Sequence, residues 1–388
     1  MIREKILIKG NIVFPGEVFP RPGLLEIADG VISHTGERGS SVPGAGYRVY
    51  NFGDSYVCPG FIDMHVHGAG GADVMDSTPE SLSLMARVLA EGGTTAFLGT
   101  TMSAPRQELV QAVANAAAVM LKETGGARLI GIHLEGPFLN PEKKGAHIGA
   151  NLRPPGIAEL NEYIEAGGGM VRMMTIAPEL PGAIEVIRYA VSLGMVVSLG
   201  HSAATITQVH EAYAAGLSHV THAFNAMGAF HHRDPGTIGA ILSMRELTVD
   251  IIPDGFHVHP AVIKALVLAK GTDRVAAISD CSRAGQMTDG IYELGGQKVT
   301  MKDGVVRLAD GTLSGSTISM AGGVKVLVEE VGLSIGEAIQ MASANPAVFL
   351  GLRSKGTLAP GKDADITVLD RNYRVLMTMV GGKIVVSG

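Results

Sequence analysis

The hydrophobic pattern of this chain is a repeat of short, nearly unbroken apolar runs, each closed by a polar residue. Residues 129–132 form one such run, which leads straight into His133 and Glu135 ahead of a Gly136-Pro137 break. The same motif, apolar run then polar end, recurs at 61–67, 195–201, 219–222, 247–257 and 274–280. Runs without alternation suit strands of a parallel sheet covered on both faces. Eight candidate strands follow, at 57–64, 94–99, 128–134, 170–176, 195–200, 218–222, 247–252 and 274–279. Helical patterns fill the intervals. Thr78-Pro79 offers a cap residue and a proline at the first helical position. Leu82, Met85, Ala86 and Leu89 then keep helical spacing up to Gly92-Gly93. Segments 105–122, 181–193, 204–215 and 260–270 repeat that texture. Eight strand–helix units predict an α/β fold, a (β/α)8 TIM-type barrel over residues 57–355.

The two ends of the chain look different. Residues 1–56 hold short apolar runs at 5–8, 12–14, 24–28 and 31–32, with Asp29-Gly30 as a hairpin signal. Residues 356–388 hold similar runs at 366–369, 375–380 and 383–386, with Gly381-Gly382 as the turn. Neither piece has enough apolar surface to fold alone. Together they predict one small, discontinuous β-sandwich domain assembled from both termini.

Composition agrees with this plan. A length of 388 residues fits a barrel of ~250 residues plus a smaller domain. Hydrophobic residues at 46% and charged ones at 18% allow a large buried core. A net charge of −6 gives no support for nucleic-acid binding, though a local cationic pocket for an anionic substrate stays compatible with it. Cys58 and Cys281 resemble neither a disulfide framework nor a zinc ribbon. No apolar stretch of about 18 residues is present to span a membrane, and the start of the chain shows no secretory signal. The expected compartment is the reducing cytoplasm.

The polar residues at the strand ends carry the chemistry. His65 and His67 stand two apart, which on a strand means one face, so both imidazoles can point at one ion. His201 and His222 each end a candidate strand, and with Glu135 they supply two neutral nitrogens and a carboxylate. Asp280 closes the eighth strand, placed to accept a proton from an activated water. Singly, each of these could be a hydrogen-bonded core residue. Their recurrence at successive strand ends favours a catalytic divalent-metal site.

Several longer segments make the reading specific. Phe61-Ile62-Asp63-Met64-His65-Val66-His67, His133-Leu134-Glu135-Gly136-Pro137-Phe138, Gly200-His201-Ser202, His222-Ala223-Phe224-Asn225-Ala226-Met227 and Arg233-Asp234-Pro235-Gly236 resemble the N-acetylglucosamine-6-phosphate deacetylases of the amidohydrolase superfamily. The likeness continues through Asp254-Gly255-Phe256-His257, Leu313-Ser314-Gly315-Ser316 and residues 360–365, so it covers nearly the whole chain. This resemblance implies that Glu135, His201 and His222 hold the principal metal and that Asp280 is the general base. It implies that His147 hydrogen-bonds the acetamide oxygen or the tetrahedral intermediate, and that backbone groups at Asn225 and Ala226, with Arg233 and His257, hold the sugar phosphate. The matching arginine comes from a neighbouring subunit in relatives, which implies a homodimer. His65 and His67 imply a second ion bridged by Glu135, so one or two ions per subunit, zinc or iron. The expected reaction releases acetate from N-acetylglucosamine 6-phosphate in amino-sugar catabolism.

Alternatives remain open at this level. The galacto epimer of the substrate differs at one hydroxyl. A cyclic-amide hydrolase of the dihydroorotase type would use a carbamylated lysine, and no lysine stands at a comparable strand end. A non-catalytic barrel would be expected to have lost ligands. The family's usual Thr-Asp-Ala around the base is Ser279-Asp280-Cys281 here, and a packing role is expected for the thiol. His231 and His232 either extend the cationic pocket or sit on an exposed loop, and His259 is expected to cap or pack.

Overall fold

A computed structural model describes residues 5–37 and 46–388; the parts of the predicted terminal domain at 1–4 and 38–45 lie outside the described residues. The chain begins with β1 (Lys5–Ile12), β2 (Arg21–Ala28), β3 (Val31–Glu37) and the long β4 (Tyr47–Pro59). Eight barrel strands follow: β5 (Phe61–Val66), β6 (Thr94–Thr100), β7 (Arg128–Glu135), β8 (Val171–Ile176), β9 (Val196–Leu199), β10 (His219–Val220), β11 (Thr248–Ile251) and β12 (Val275–Ala277). An antiparallel sheet of β13 (Gly290–Leu294), β14 (Gln297–Lys302) and β15 (Val305–Arg307) comes next. The chain closes with β16 (Ile366–Leu369), β17 (Val375–Val380) and β18 (Lys383–Ser387).

The barrel strands pair in sequence order from β5 to β12, each neighbour parallel. Every residue of β5 and β6 is buried, as their unbroken apolar runs require. The seam between β12 and β5 is closed at the mouth by main-chain contacts. His67 and Gly68 N–H both donate to the Cys281 carbonyl at 2.9 Å, and Asp280 N–H donates to the His65 carbonyl at 2.9 Å. Those bonds set the eighth strand end beside the first.

The terminal strands form one seven-stranded sheet in the order β18-β17-β16-β4-β1-β2-β3. In it β4 joins the two ends of the chain, pairing parallel to β1 and antiparallel to β16. Ile8, Leu25, Ile27, Val57, Ile366 and Met379 make its apolar core.

Helices cover the barrel where the apolar spacing places them. Thr78 caps Pro79–Glu91 by accepting the Ser81 N–H at 3.2 Å. That helix buries Leu82, Met85, Ala86 and Leu89, and each large side chain so buried contributes about 1.5–3 kcal/mol. His259 caps Pro260–Lys270 through its ring nitrogen, which accepts the Ala261 N–H at 3.2 Å.

Three details differ from the apolar pattern. The expected strand 57–64 divides at Gly60, since residues 57–59 continue β4 and pair with β16. A side chain at Gly60 would collide with Thr95, so the crossing between sheets is made where no Cβ intervenes. The expected strand 218–222 shortens to His219–Val220, because His222 turns into the left-handed region with φ 30°. Helices Ile157–Ala166, Gly236–Ser243, Met320–Glu329, Ile335–Ile339 and Asn345–Phe349 and the β13–β15 sheet fall outside the expected elements.

Candidate metal centre

Seven side chains from six places in the chain meet at the mouth of the barrel. His65 lies in β5 and His67 just beyond it; Glu135 ends β7; His201, His222 and Asp280 follow β9, β10 and β12; His147 comes from the loop after β7. All seven are buried. Glu135 is the hub. Its Oε1 lies 3.0 Å from His222 Nε2 and 3.3 Å from His201 Nε2. Its Oε2 lies 3.1 Å from His67 Nε2, 3.4 Å from His147 Nε2 and 3.5 Å from His65 Nε2. Asp280 Oδ1 is 3.4 Å from both His65 and His67 Nε2.

The hydrogen bonds on the far side of each ring decide what faces the centre. His201 Nδ1 sits 2.8 Å from the Lys143 carbonyl oxygen and His67 Nδ1 3.2 Å from that of Thr100. A carbonyl needs a donor, so both rings carry their proton on Nδ1 and present an Nε2 lone pair inward. His201 and His222 Nε2 then face each other at 3.1 Å, as do those of His65 and His67. His65 and His222 leave Nδ1 buried without a protein partner. Converging lone pairs and carboxylates repel unless a cation lies between them. Ligands about 2.0–2.1 Å from a tetrahedral zinc stand roughly 3.3 Å apart, close to the spacing seen here. The donor set therefore fits a divalent metal at each of two groups sharing Glu135: His201 with His222, and His65 with His67 and Asp280.

His147 has a different face. The Ser103 N–H donates to its Nδ1 at 3.2 Å, which puts the proton on Nε2 and turns that atom into a donor aimed at the centre. Burial, then the charge of His201, pushes its pKa down to about 4 against the pull of Glu135, so the ring stays neutral.

The electrostatics of the cluster express a demand for positive charge. Burial raises the Glu135 pKa, but the surrounding His65, His147, His201 and His222 hold it well below the usual carboxylate range. Asp280 behaves alike: burial works against ionisation, and His65 and His67 outweigh it. Burial lowers the His222 pKa, yet Glu135 and Asp280 carry it up to about 9, and the same carboxylates raise His67. A proton and a metal compete for the same lone pairs.

Backbone strain marks the same place. His201, His222, Phe224, Ala226 and Asp280 all adopt left-handed φ values, between 30° and 78°. Each such non-glycine residue costs about 1–3 kcal/mol and persists only where its surroundings enforce it. The strain bends the chain immediately past β9, β10 and β12, swinging the polar side chains inward.

A cavity of about 440 Å³ opens over the cluster, lined also by Asn225, Ala226, His257, Leu294 and Arg307. Its size suits a small organic ligand. His257 is held by Asp254, whose carboxylate lies 2.6 Å from Nδ1. His65 lies beneath the cavity within the cluster, whereas Arg233 stays away from both: it is exposed, with its guanidinium 3.0 Å from His232 Nε2. His231 and His232 are exposed beside it. Cys281 is buried, which raises its thiol pKa and fits packing. Arg307 and Leu294 escaped the sequence reading; the turn pairs Gly295-Gly296 and Asp303-Gly304 were the available signal for the sheet that carries them.

An eight-stranded parallel barrel with this ligand set at the carboxyl ends of its strands defines a metal-dependent hydrolase of the amidohydrolase type. The amidohydrolase family model matches residues 56–385. An N-acetylglucosamine-6-phosphate deacetylase of Bacillus subtilis (strain 168) is 36% identical over 385 residues, 98% of this chain and 97% of its own length. An N-acetylgalactosamine-6-phosphate deacetylase of Escherichia coli O157:H7 is 38% identical over 361 residues, 93% and 94% of the two chains. A solved variant of the Mycobacterium smegmatis N-acetyl-D-glucosamine-6-phosphate deacetylase, in complex with N-acetyl-D-glucosamine-6-phosphate, matches with TM-score 0.93 and 34% identity over 99% of this chain and 100% of that one. The chain belongs to the amidohydrolase family and, within it, groups with the N-acetylglucosamine-6-phosphate deacetylases.

Proposed function

We propose that this protein hydrolyses the acetamide of N-acetylglucosamine 6-phosphate, giving glucosamine 6-phosphate and acetate. The observation that carries the proposal is the convergence of Glu135, His201, His222, His65, His67 and Asp280 beneath a cavity of about 440 Å³. Glu135, His201 and His222 would hold one divalent ion, and His65, His67 and Asp280 a second that shares Glu135; zinc and iron both suit the donors. When bound, such an ion polarises the amide carbonyl and makes the attacking water more acidic.

The chain's own groups do the rest. Asp280, held ionised, takes a proton from the water as its oxygen attacks the carbonyl carbon. His147 donates its Nε2–H to the acetamide oxygen, where negative charge develops. Asp280 then returns the proton to the nitrogen as the C–N bond breaks. Asn225, Ala226 and His257 line the cavity and hold the sugar phosphate. Arg233, exposed beside Phe230 (54% exposed), would serve the cavity of a second subunit in a homodimer. No described helix is long and apolar enough to cross a membrane, and both cysteines are buried and unpaired, which suits the reducing cytoplasm.

The Escherichia coli relative, named for the galacto epimer, supports a second reading in which that epimer is the substrate. Acetate release measured with both sugar phosphates, before and after chelation, tests both readings. Chelator-sensitive release from the gluco epimer is expected. Release from neither would overturn the proposal, and a strong preference for galacto would replace the substrate.

A further inference from the structure

Apart from His147, the side chains at the centre of this site are arranged to attract a cation, which poses a problem for a dianionic substrate. His257 lines the cavity with its Nδ1 already engaged by the Asp254 carboxylate at 2.6 Å. Arg233 does not reach the cavity of its own chain. Among the described residues lining that cavity, Arg307 is the only lysine or arginine.

Its setting suits a binding group. Arg307 ends β15, and its main chain is bridged to Leu313, which lines the same cavity. The turn between them is tied by Leu308 N–H to the Thr312 carbonyl at 2.9 Å and Gly311 N–H to the Leu308 carbonyl at 3.0 Å. The guanidinium is exposed, and one Nη1 hydrogen is used on the Gly311 carbonyl at 2.8 Å rather than on a carboxylate. A guanidinium has five N–H donors in a rigid fork, so this bond orients the group while leaving donors for an anion. The sheet is also clasped to the catalytic loop, because Gln297 of β14 donates to the carbonyl of Ala146, the residue before His147.

We propose that Arg307 reads the phosphate of the substrate from within the same chain, through charge-assisted hydrogen bonds to its oxygens. The inference rests on the deacetylase reading for its ligand. It makes phosphate recognition two-sided, with Arg307 supplied in cis and Arg233 by a neighbouring subunit.

The test compares R307A and R307K with wild type in metal-replete protein. Two readouts are needed: calorimetric affinity for glucosamine 6-phosphate against glucosamine, and KM against kcat for N-acetylglucosamine 6-phosphate. R307A should weaken the phosphorylated ligand and raise KM on the order of ten- to a hundredfold, with kcat changed far less. The discrimination between phosphorylated and unphosphorylated sugar should collapse by the same factor. R307K, a point charge without the fork, should recover part of it. Equal losses for both sugars would show that Arg307 merely braces the β13–β15 sheet, and wild-type KM in R307A would remove it from the site; either overturns the proposal. Sugar-phosphate binding without acetate release from wild type would sink the hydrolytic reading alone, whereas absence of sugar-phosphate binding by wild type would sink both.

Discussion

Two sets of histidines sit near the strand ends of the same barrel, and burial does not tell them apart. His133 and His219 are fully buried, and both nitrogens of each ring have protein partners. His133 lies 3.3 Å from the Met64 carbonyl oxygen and 2.7 Å from the Thr175 hydroxyl. His219 lies 2.6 Å from the Thr248 hydroxyl and 3.2 Å from the Asp250 carboxylate. His65, His67, His201 and His222 are buried too, but their Nε2 atoms aim at one another and at Glu135. A ring with both nitrogens satisfied is complete as a piece of the core. A ring whose Nε2 meets another such nitrogen and a carboxylate needs a proton or a metal ion between them. Partner chemistry, rather than burial, separates ligand from scaffold.

The sharpest way to break this distinction is Glu135→Gln, because one carboxylate serves both ligand groups. Metal analysis of the purified variant should find both groups depleted and acetate release abolished; wild-type metal content would refute the shared hub. Next in size, Asp280→Asn should lower kcat on the order of 10²–10⁴-fold while the His201–His222 ion stays bound. Near-normal turnover would strip Asp280 of its role as base. On the scaffold side, His219→Gln should cost about 1–3 kcal/mol in denaturant unfolding of the chelated protein, since it leaves Asp250 short of a partner. Its metal content should remain that of wild type, and metal loss without destabilisation would place His219 in the wrong set.

The last effect, confined to a window of pH, concerns Asp63, which ties the two ends of the barrel together. Its carboxylate accepts the Ser279 hydroxyl at 2.5 Å, the Ser279 N–H at 3.2 Å and the His65 N–H at 3.3 Å. Burial pushes its pKa from 3.8 up to about 6, with the Ser279 bonds pulling the other way. The native state therefore holds this proton more tightly than the unfolded chain does. Stability from the group is complete below 3.8 and is lost as pH rises through about 6. Measured in chelated protein, the stability of wild type relative to Asp63→Asn should fall across that window. A flat difference would mean that folding leaves the Asp63 pKa where it is in the unfolded chain.

Much of this arrangement was legible in the chain. Glu135, His201, His222 and Asp280 stood out because each follows an apolar run, and a polar residue there must lie at the mouth of a buried strand. The two-residue spacing of His65 and His67 already implied one face. The role of His147 was not visible in its neighbours: it depends on the Ser103 N–H, contributed by a different loop. The split at Gly60 was hidden for a similar reason, since Val57 pairs with Val368 from the far end of the chain. The β13–β15 sheet has a mixed, half-exposed pattern with little apolar signal, and so Arg307 went unremarked.

By itself the sequence determined the alternation of strand and helix, the short strands at both termini, and the residue types waiting at the strand ends. Those follow from local periodicity and from the cost of burying polar groups, which act over a few residues at a time. Tertiary structure alone decided which nitrogen of each imidazole faces inward and that a cation from β15 rather than Arg233 lines the cavity of its own chain. Each of these depends on hydrogen bonds and packing between segments far apart in sequence, where no local pattern records the partner.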